Sequence, residues 1–128
     1  MVEIKRLFLV GLGGSAGAIF RYLVARIFAA LEISSAFPYH TLLVNIVGCF
    51  VIGLLNTLYP SVENNQMTRL FLITGVVGGF TTFSAFGIES IELFKAGLTL
   101  SAICYISSSV MVGLVSVMLG SSLADSLK

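Results

Sequence analysis

The stretch GGFTTFSAF at residues 78–86 lies inside an uncharged interval that runs from residue 70 to residue 88. Two glycines and two threonines weaken a helix, because glycine costs backbone entropy and a β-branched side chain crowds the preceding turn. Lipid tolerates an interrupted helix only where its backbone faces protein or a water-filled cavity. The segment from Gly78 to Ser84 therefore predicts one of two things: a break that presents carbonyl groups to an ion, or a glycine-rich packing notch in a continuous helix.

The composition places the whole chain in a membrane. Of its 128 residues 57% are hydrophobic and 10% are charged, whereas a soluble domain carries roughly 25% charged residues. A net charge of +1 without a basic run excludes nucleic acid as a partner. The single histidine and the few carboxylates form no nucleophile and base pair, metal cluster or phosphate loop, so an enzyme is not expected.

The apolar intervals predict four transmembrane helices. A hydrocarbon core of about 30 Å requires about 20 helical residues, and stretches of that length occur at 7–31, 38–60, 70–94 and 98–123. The third helix is expected to be broken near its middle. Short connections make 1–128 a single all-α membrane domain.

Small and polar side chains recur within these helices. Gly13 and Gly17 form a GxxxG pattern with Arg21 on the same face, and the fourth helix carries a polar stripe that includes Tyr105 and Ser109. The amide of Asn45, deep in the second helix, has four hydrogen-bonding positions to satisfy. Packing between helices is the commoner reason for such stripes. The polar stripes of the second and fourth helices would face lipid unless another subunit covered them. An oligomer is therefore expected, most simply a dimer.

Three motifs make the sequence resemble the Fluc (CrcB) family of fluoride channels, small four-helix proteins that form antiparallel dimers and export fluoride. GGSAGAIFRY at 13–22 is similar to the family's GxxGAxxRY, TLLVNIVG at 41–48 to its TLxVNxxG, and GVVGGFTTFSAF at 75–86 to its GxxGGxTTFSTF. The motifs come in the family's order, and the resemblance covers essentially the whole chain.

The resemblance implies a role for each matching position. It implies an antiparallel dual-topology homodimer in the cell inner (plasma) membrane, with fluoride as the conducted ion. The backbone carbonyls of Gly78 and Thr81 would hold a structural sodium ion at the dimer centre. The fluoride pathway would be formed by Asn45, Phe83, Phe86, Tyr105 and Ser109, with Thr82, Ser84 and Glu89 within or beside it.

The chain departs from the family pattern at three positions. His40 stands where glycine is usual, Ala85 where threonine is usual, and Gly113 where serine is common. The last two remove hydroxyl groups near the expected pathway. His40 is expected to be a solvated helix end rather than a ligand.

The expected chemistry suits a small, strongly hydrated anion. Amide and hydroxyl donors offer weak serial sites, whereas a buried lysine or arginine would hold the ion too tightly for rapid release. The electropositive edge of a phenylalanine ring can also face an anion, although three phenylalanines in one segment are otherwise ordinary core residues.

Two other functions compete with a channel. A small dual-topology drug or cation exporter needs an intramembrane carboxylate. Between the N-terminal residues and Glu89 the only carboxylates are Glu32 and Glu63, and both are expected in loops. A non-transporting assembly subunit would be packed through its GxxxG face.

Overall fold

The computed structural model describes residues 2–33, 35–60 and 65–128, and every regular element in these ranges is helical. The second connection is only partly described, and Glu63 lies outside the described residues. The elements are α1 (Val2–Ala30), α2 (Tyr39–Leu58), α3 (Gln66–Arg69), a π-helical stretch (Leu70–Val77), α4 (Gly78–Phe80), α5 (Phe83–Lys95) and α6 (Thr99–Ser126).

Four helical segments are long and apolar enough to cross a membrane, which confirms the predicted number. They are Glu3–Ala30, Tyr39–Leu58, Gln66–Lys95 and Thr99–Ser126. Elements α3, the π-helical stretch, α4 and α5 together form one of these segments, which we call the third span.

The third span leaves helical geometry at its two threonines. Thr81 has φ −74° and ψ 159°, and Thr82 has φ −150° and ψ 114°, so both are extended before the helix resumes at Phe83. Gly78 is helical, with φ −62° and ψ −36°. The glycines that the sequence singled out as helix-weakening are thus part of α4, and the extended residues follow them.

The glycines serve close contact between α1 and the third span. A Cβ atom at Gly75 would lie 2.8 Å from the Cα atom of Gly13, and one at Gly79 would meet the carbonyl oxygen of Gly14. A Cβ at Gly17 would lie 2.7 Å from the amide nitrogen of Phe80. The GxxxG face of α1 thus packs on the third span of its own chain, so closely that no side chain would fit at these glycines.

The other main contact joins α2 to α6. Gly53 lies against the backbone of Val117, and Gly120 lies against the backbone of Phe50. The chain therefore consists of two helix pairs, α1 with the first half of the third span and α2 with α6. Thr81 and Thr82 lie where these two pairs meet.

A small core fixes the second half of the third span. Leu93 of α5 packs with Ala102 and Tyr105 of α6, and Phe37 and Phe86 pack against this cluster. Tyr105 is fully buried, with 0% of its surface exposed. This core holds α5 in place next to the threonines.

Candidate functional site

An open groove of about 310 Å³ lies beside the extended threonines. It is formed by α2, the end of the first half of the third span, α5 and α6. No charged side chain is among its lining residues, which are Asn45, Gly48, Cys49, Ile52, Val77, Thr81, Thr82, Phe83, Phe86, Ser109 and Val110. The structure thus brings five of the sequence-predicted pathway residues to one surface: Asn45, Thr82, Phe83, Phe86 and Ser109.

Asn45 holds the extended backbone through both atoms of its amide. Its Nδ2 donates to the carbonyl oxygen of Thr82 at 3.0 Å, and its Oδ1 accepts from the Thr82 amide nitrogen at 2.8 Å. A side-chain amide has two N–H donors, so one N–H of Asn45 is left over after this pairing. The sequence showed that Asn45 needed partners, and the structure supplies them from the backbone of the third span.

Thr82 is also the N-cap residue of α5. Its Oγ1 accepts from the amide nitrogen of Ala85 at 3.2 Å and lies 3.4 Å from the Oγ of Ser84. An N-terminal threonine of this kind satisfies one of the free amides of the first helical turn. The start of α5 is therefore fixed twice, by the backbone of Thr82 on Asn45 and by its hydroxyl on Ala85.

The end of α4 leaves carbonyl oxygens outside the helical ladder. The amide of Thr82, which would normally pair with the carbonyl of Gly78, donates to Asn45 instead. The carbonyl of Thr81 accepts from Nη1 of Arg21 at 3.5 Å, longer than the usual 2.7–3.2 Å for this bond. The carbonyls of Gly78 and Thr81 are hard oxygen donors at the negative end of a helix, a donor set suited to an alkali cation.

Two phenylalanine rings form part of the groove. The ring centres of Phe83 and Phe86 are 5.5 Å apart at an interplanar angle of 39°, and Phe86 lies 5.4 Å from the ring of Tyr105 at 50°. Phe83 is 85% exposed on the single chain, whereas Phe86 packs against the core. The two rings therefore have different surroundings, although they are three residues apart on one helix face.

Ser109 carries a polar atom without a protein partner. Within the described ranges its Oγ is buried and makes no hydrogen bond. A buried hydroxyl of this kind can donate to a bound anion or to water at little cost, because it gives up no protein bond.

A polar cluster surrounds Glu89 in the middle of α5. Thr41 Oγ1 donates to Glu89 Oε1 at 2.7 Å, and the Tyr105 hydroxyl donates to Oε2 at 2.7 Å. His40 Nε2 is 3.8 Å from Glu89 Oε1. The resemblance pointed to Glu89 and Tyr105 but assigned nothing to Thr41 or His40. Thr41 and Asn45 are four residues apart on one face of α2, which was the signal available for Thr41.

The remaining predicted residues lie apart from the groove or at its edge. Gly13, Gly17 and Arg21 lie on α1. The two glycines face the helical part of the third span, and Arg21 contacts its extended backbone at Thr81. Ser84 is exposed and contacts Thr82. A Cβ atom at Gly113 would lie 3.4 Å from the sulfur of Cys49, which lines the groove.

Comparison with known proteins gives a consistent set of similarities. The family described as CrcB-like protein, Camphor Resistance (CrcB), matches residues 8–121. The chain is 46% identical over 114 residues to a fluoride-specific ion channel FluC of Rhizobium etli, covering 88% of this chain and 90% of that one. It is 45% identical over 116 residues to the FluC of Phocaeicola vulgatus, at 91% and 95% coverage. It is 38% identical over 125 residues to that of Azobacteroides pseudotrichonymphae, at 95% and 98% coverage.

Proposed function

This chain belongs to the CrcB family of fluoride-specific ion channels, and from that premise we propose that it conducts fluoride passively out of the cell through a narrow polar path beside Thr81 and Thr82. The family is one of channels, so the protein is not an enzyme. Four apolar helices make it a multi-pass membrane protein, and we place it in the inner (plasma) membrane. The observation that carries the proposal is the uncharged groove at the extended threonines, which combines hydrogen-bond donors with phenylalanine rings.

Donors without a full set of protein partners would replace water around the ion. Ser109 contributes a buried hydroxyl that makes no bond within the described ranges. Asn45 contributes its second N–H while its other amide atoms keep Thr82 in place. Neutral donors bind a small anion without trapping it, because the attraction to each is weaker than to a buried cation.

The rings of Phe83 and Phe86 would complete the coordination with their edges. A ring edge carries partial positive charge, so it attracts an anion, and it offers no site to a cation. Phe86 stands between the groove and Tyr105, and Tyr105 donates to Glu89. We propose that the path continues in this order, from the groove past Phe86 towards the cluster at Glu89, with Thr82 and Ser84 beside it.

A second copy of the chain would close the groove. Phe83, which lines the groove, is 85% exposed on the single chain. A homodimer in which the copies run antiparallel would bring two such grooves together and cover the exposed rings. The charges allow insertion in both directions: Lys5, Arg6, Arg69 and Lys128 lie at the end of the bundle that holds the termini, and Arg26 and Lys95 at the other. That difference is small under the positive-inside rule.

A sodium ion is the cofactor that we propose at the dimer centre. Two copies of Gly78 and Thr81 would supply four carbonyl oxygens, the type of ligand that sodium prefers. When bound, the ion would supply positive charge that offsets these carbonyls and joins the two chains. In the chain itself, Arg21 contacts the Thr81 carbonyl at 3.5 Å, which leaves that oxygen able to accept a further partner.

Anion flux from proteoliposomes tests the proposal. Vesicles loaded with fluoride or with chloride should release fluoride rapidly and chloride at the rate of protein-free vesicles. Equal release of the two anions would contradict a selective channel, and release of neither would favour an assembly subunit. Uptake of an organic cation driven by a proton gradient would support the alternative of a small drug or cation exporter.

A further inference from the structure

His40 is placed next to the carboxylate that ends the proposed path. Its Nε2 lies 3.8 Å from Glu89 Oε1, a distance at which a protonated imidazole forms an ion pair. The His40 side chain is 41% exposed and that of Glu89 is 18% exposed. The imidazole, on the second residue of α2, is thus more exposed on the single chain than the carboxylate that it contacts.

The two neutral donors on Glu89 do not remove its charge. Thr41 and Tyr105 each donate one hydrogen bond of 2.7 Å to the carboxylate. Both donors are neutral, so neither offsets the negative charge that an ionised Glu89 presents to an anion approaching along Tyr105. Within the described ranges no lysine or arginine pairs with Glu89, and His40 is the one basic side chain near it.

We infer that His40 sets the charge that fluoride meets at the Glu89 end of the path, and that fluoride conduction therefore increases when the imidazole gains a proton. This inference rests on the proposed function. An imidazole gains its proton between about pH 5 and pH 8. With neutral His40 the pair carries one negative charge, which repels fluoride; with protonated His40 the pair is neutral, and this repulsion is reduced.

The groups that face His40 are a carboxylate, a hydroxyl behind that carboxylate and an uncharged ring. Glu89 faces it from α5, and the Tyr105 hydroxyl of α6 lies behind that carboxylate. From α1 the ring of Phe28 faces it with centroids 6.3 Å apart and carries no charge. Tyr39 precedes it on α2. The chain contains no other histidine, so no second imidazole contributes to a response in this pH range.

Fluoride current across planar bilayers measures the effect, because neutral hydrogen fluoride crosses without carrying charge. The native channel should conduct about two- to fivefold more at about pH 5.5 than at about pH 7.5, the size expected for a partly exposed ion pair. His40→Gln should reduce that ratio to about one. Tyr39→Phe, at the neighbouring exposed position, is the matched control and should keep the native ratio. An unchanged ratio in His40→Gln would overturn the inference, because Glu89 and Tyr105 would then account for the response.

Two further arms keep the test decisive. His40→Gly carries the residue usual in the family and should also give a ratio of about one, so it replaces the glutamine variant if that variant does not purify as one species. Acylation of the native protein with diethylpyrocarbonate should flatten the pH profile, and hydroxylamine should restore it. A native protein that carries current with no pH dependence contradicts the role of His40 alone, whereas a native protein without any fluoride current at about pH 7.5 contradicts the proposed function.

Discussion

Replacing Asn45 with leucine should both destabilise the chain and stop fluoride conduction. Leucine has nearly the shape of asparagine but cannot pair with the Thr82 backbone, so the substitution removes two hydrogen bonds of 2.8 and 3.0 Å. The side chain at position 45 crosses from α2 to the third span, so both bonds join separate spans.

The expected loss of unfolding free energy in Asn45→Leu follows from these two bonds. Interhelical hydrogen bonds in membranes contribute about 0.6 kcal/mol on average and up to about 1.7 kcal/mol. The amide of Thr82 would also lose its partner in a buried residue, 7% exposed, which adds part of the roughly 1–3 kcal/mol that an unsatisfied buried group costs. We expect Asn45→Leu to lower the free energy of unfolding by about 2–4 kcal/mol.

Equilibrium unfolding in mixed micelles and fluoride efflux from vesicles measure the two effects. Asn56→Leu is the matched control, since Asn56 lies on the same helix and its Oδ1 accepts from Arg69 at 3.1 Å in an exposed position. That variant should change stability by about 0.5 kcal/mol or less and keep its efflux. If Asn45→Leu were as stable as the control and conducted fluoride normally, the pairing of Asn45 with Thr82 would have neither of the roles that we assign to it.

Four other changes have defined outcomes. Phe83→Ile combined with Phe86→Ile should abolish or sharply reduce fluoride efflux while the protein still purifies as a single species, because comparable volumes cost about 1.5 kcal/mol or less but an aliphatic chain has no electropositive edge; normal efflux would refute the role of the rings. Gly17→Ala should destabilise by about 1–3 kcal/mol through overpacking, since its Cβ would meet the Val76 carbonyl, whereas Gly11→Ala has open space and should be tolerated. Replacing sodium with a large organic cation should reduce efflux and weaken the dimer, and activity unaffected by that exchange would count against the ion. Reporters fused to the termini should be found on both sides of the membrane, and one uniform orientation would exclude an antiparallel dimer.

The sequence was informative where each residue's own chemistry determines the structure. Apolar length predicted four spans, and the polarity of Asn45 predicted that it needs partners. Family resemblance pointed to five of the residues that line the groove, among them Phe83 and Ser109. Their roles in conduction remain predictions, which the experiments above address.

The sequence was uninformative where the answer depends on a distant segment. Gly78 and Gly79 weaken a helix by propensity, yet both are helical, and α1 packs so closely that a side chain would not fit at Gly79. The backbone partner of Asn45 lies 37 residues away, and no local pattern specifies that contact. His40 was expected to be a solvated helix end, and its distance to Glu89 became apparent only from the packing of α2 on α5.

The interleaved pairing of the spans also constrains how the protein is made. The first span packs on the third and the second on the last, so no span has its main partner next to it in the chain. When α2 leaves the ribosome, α6 is still about 40 residues from starting, a delay of roughly 2–8 s at ordinary synthesis rates. During that interval Gly53 of α2 lacks the backbone of Val117 in α6, against which it packs in the finished chain. A ribosome pause between α2 and α6 should therefore leave a chain in which α2 is open to quality-control proteases, and the same pause after α6 should not.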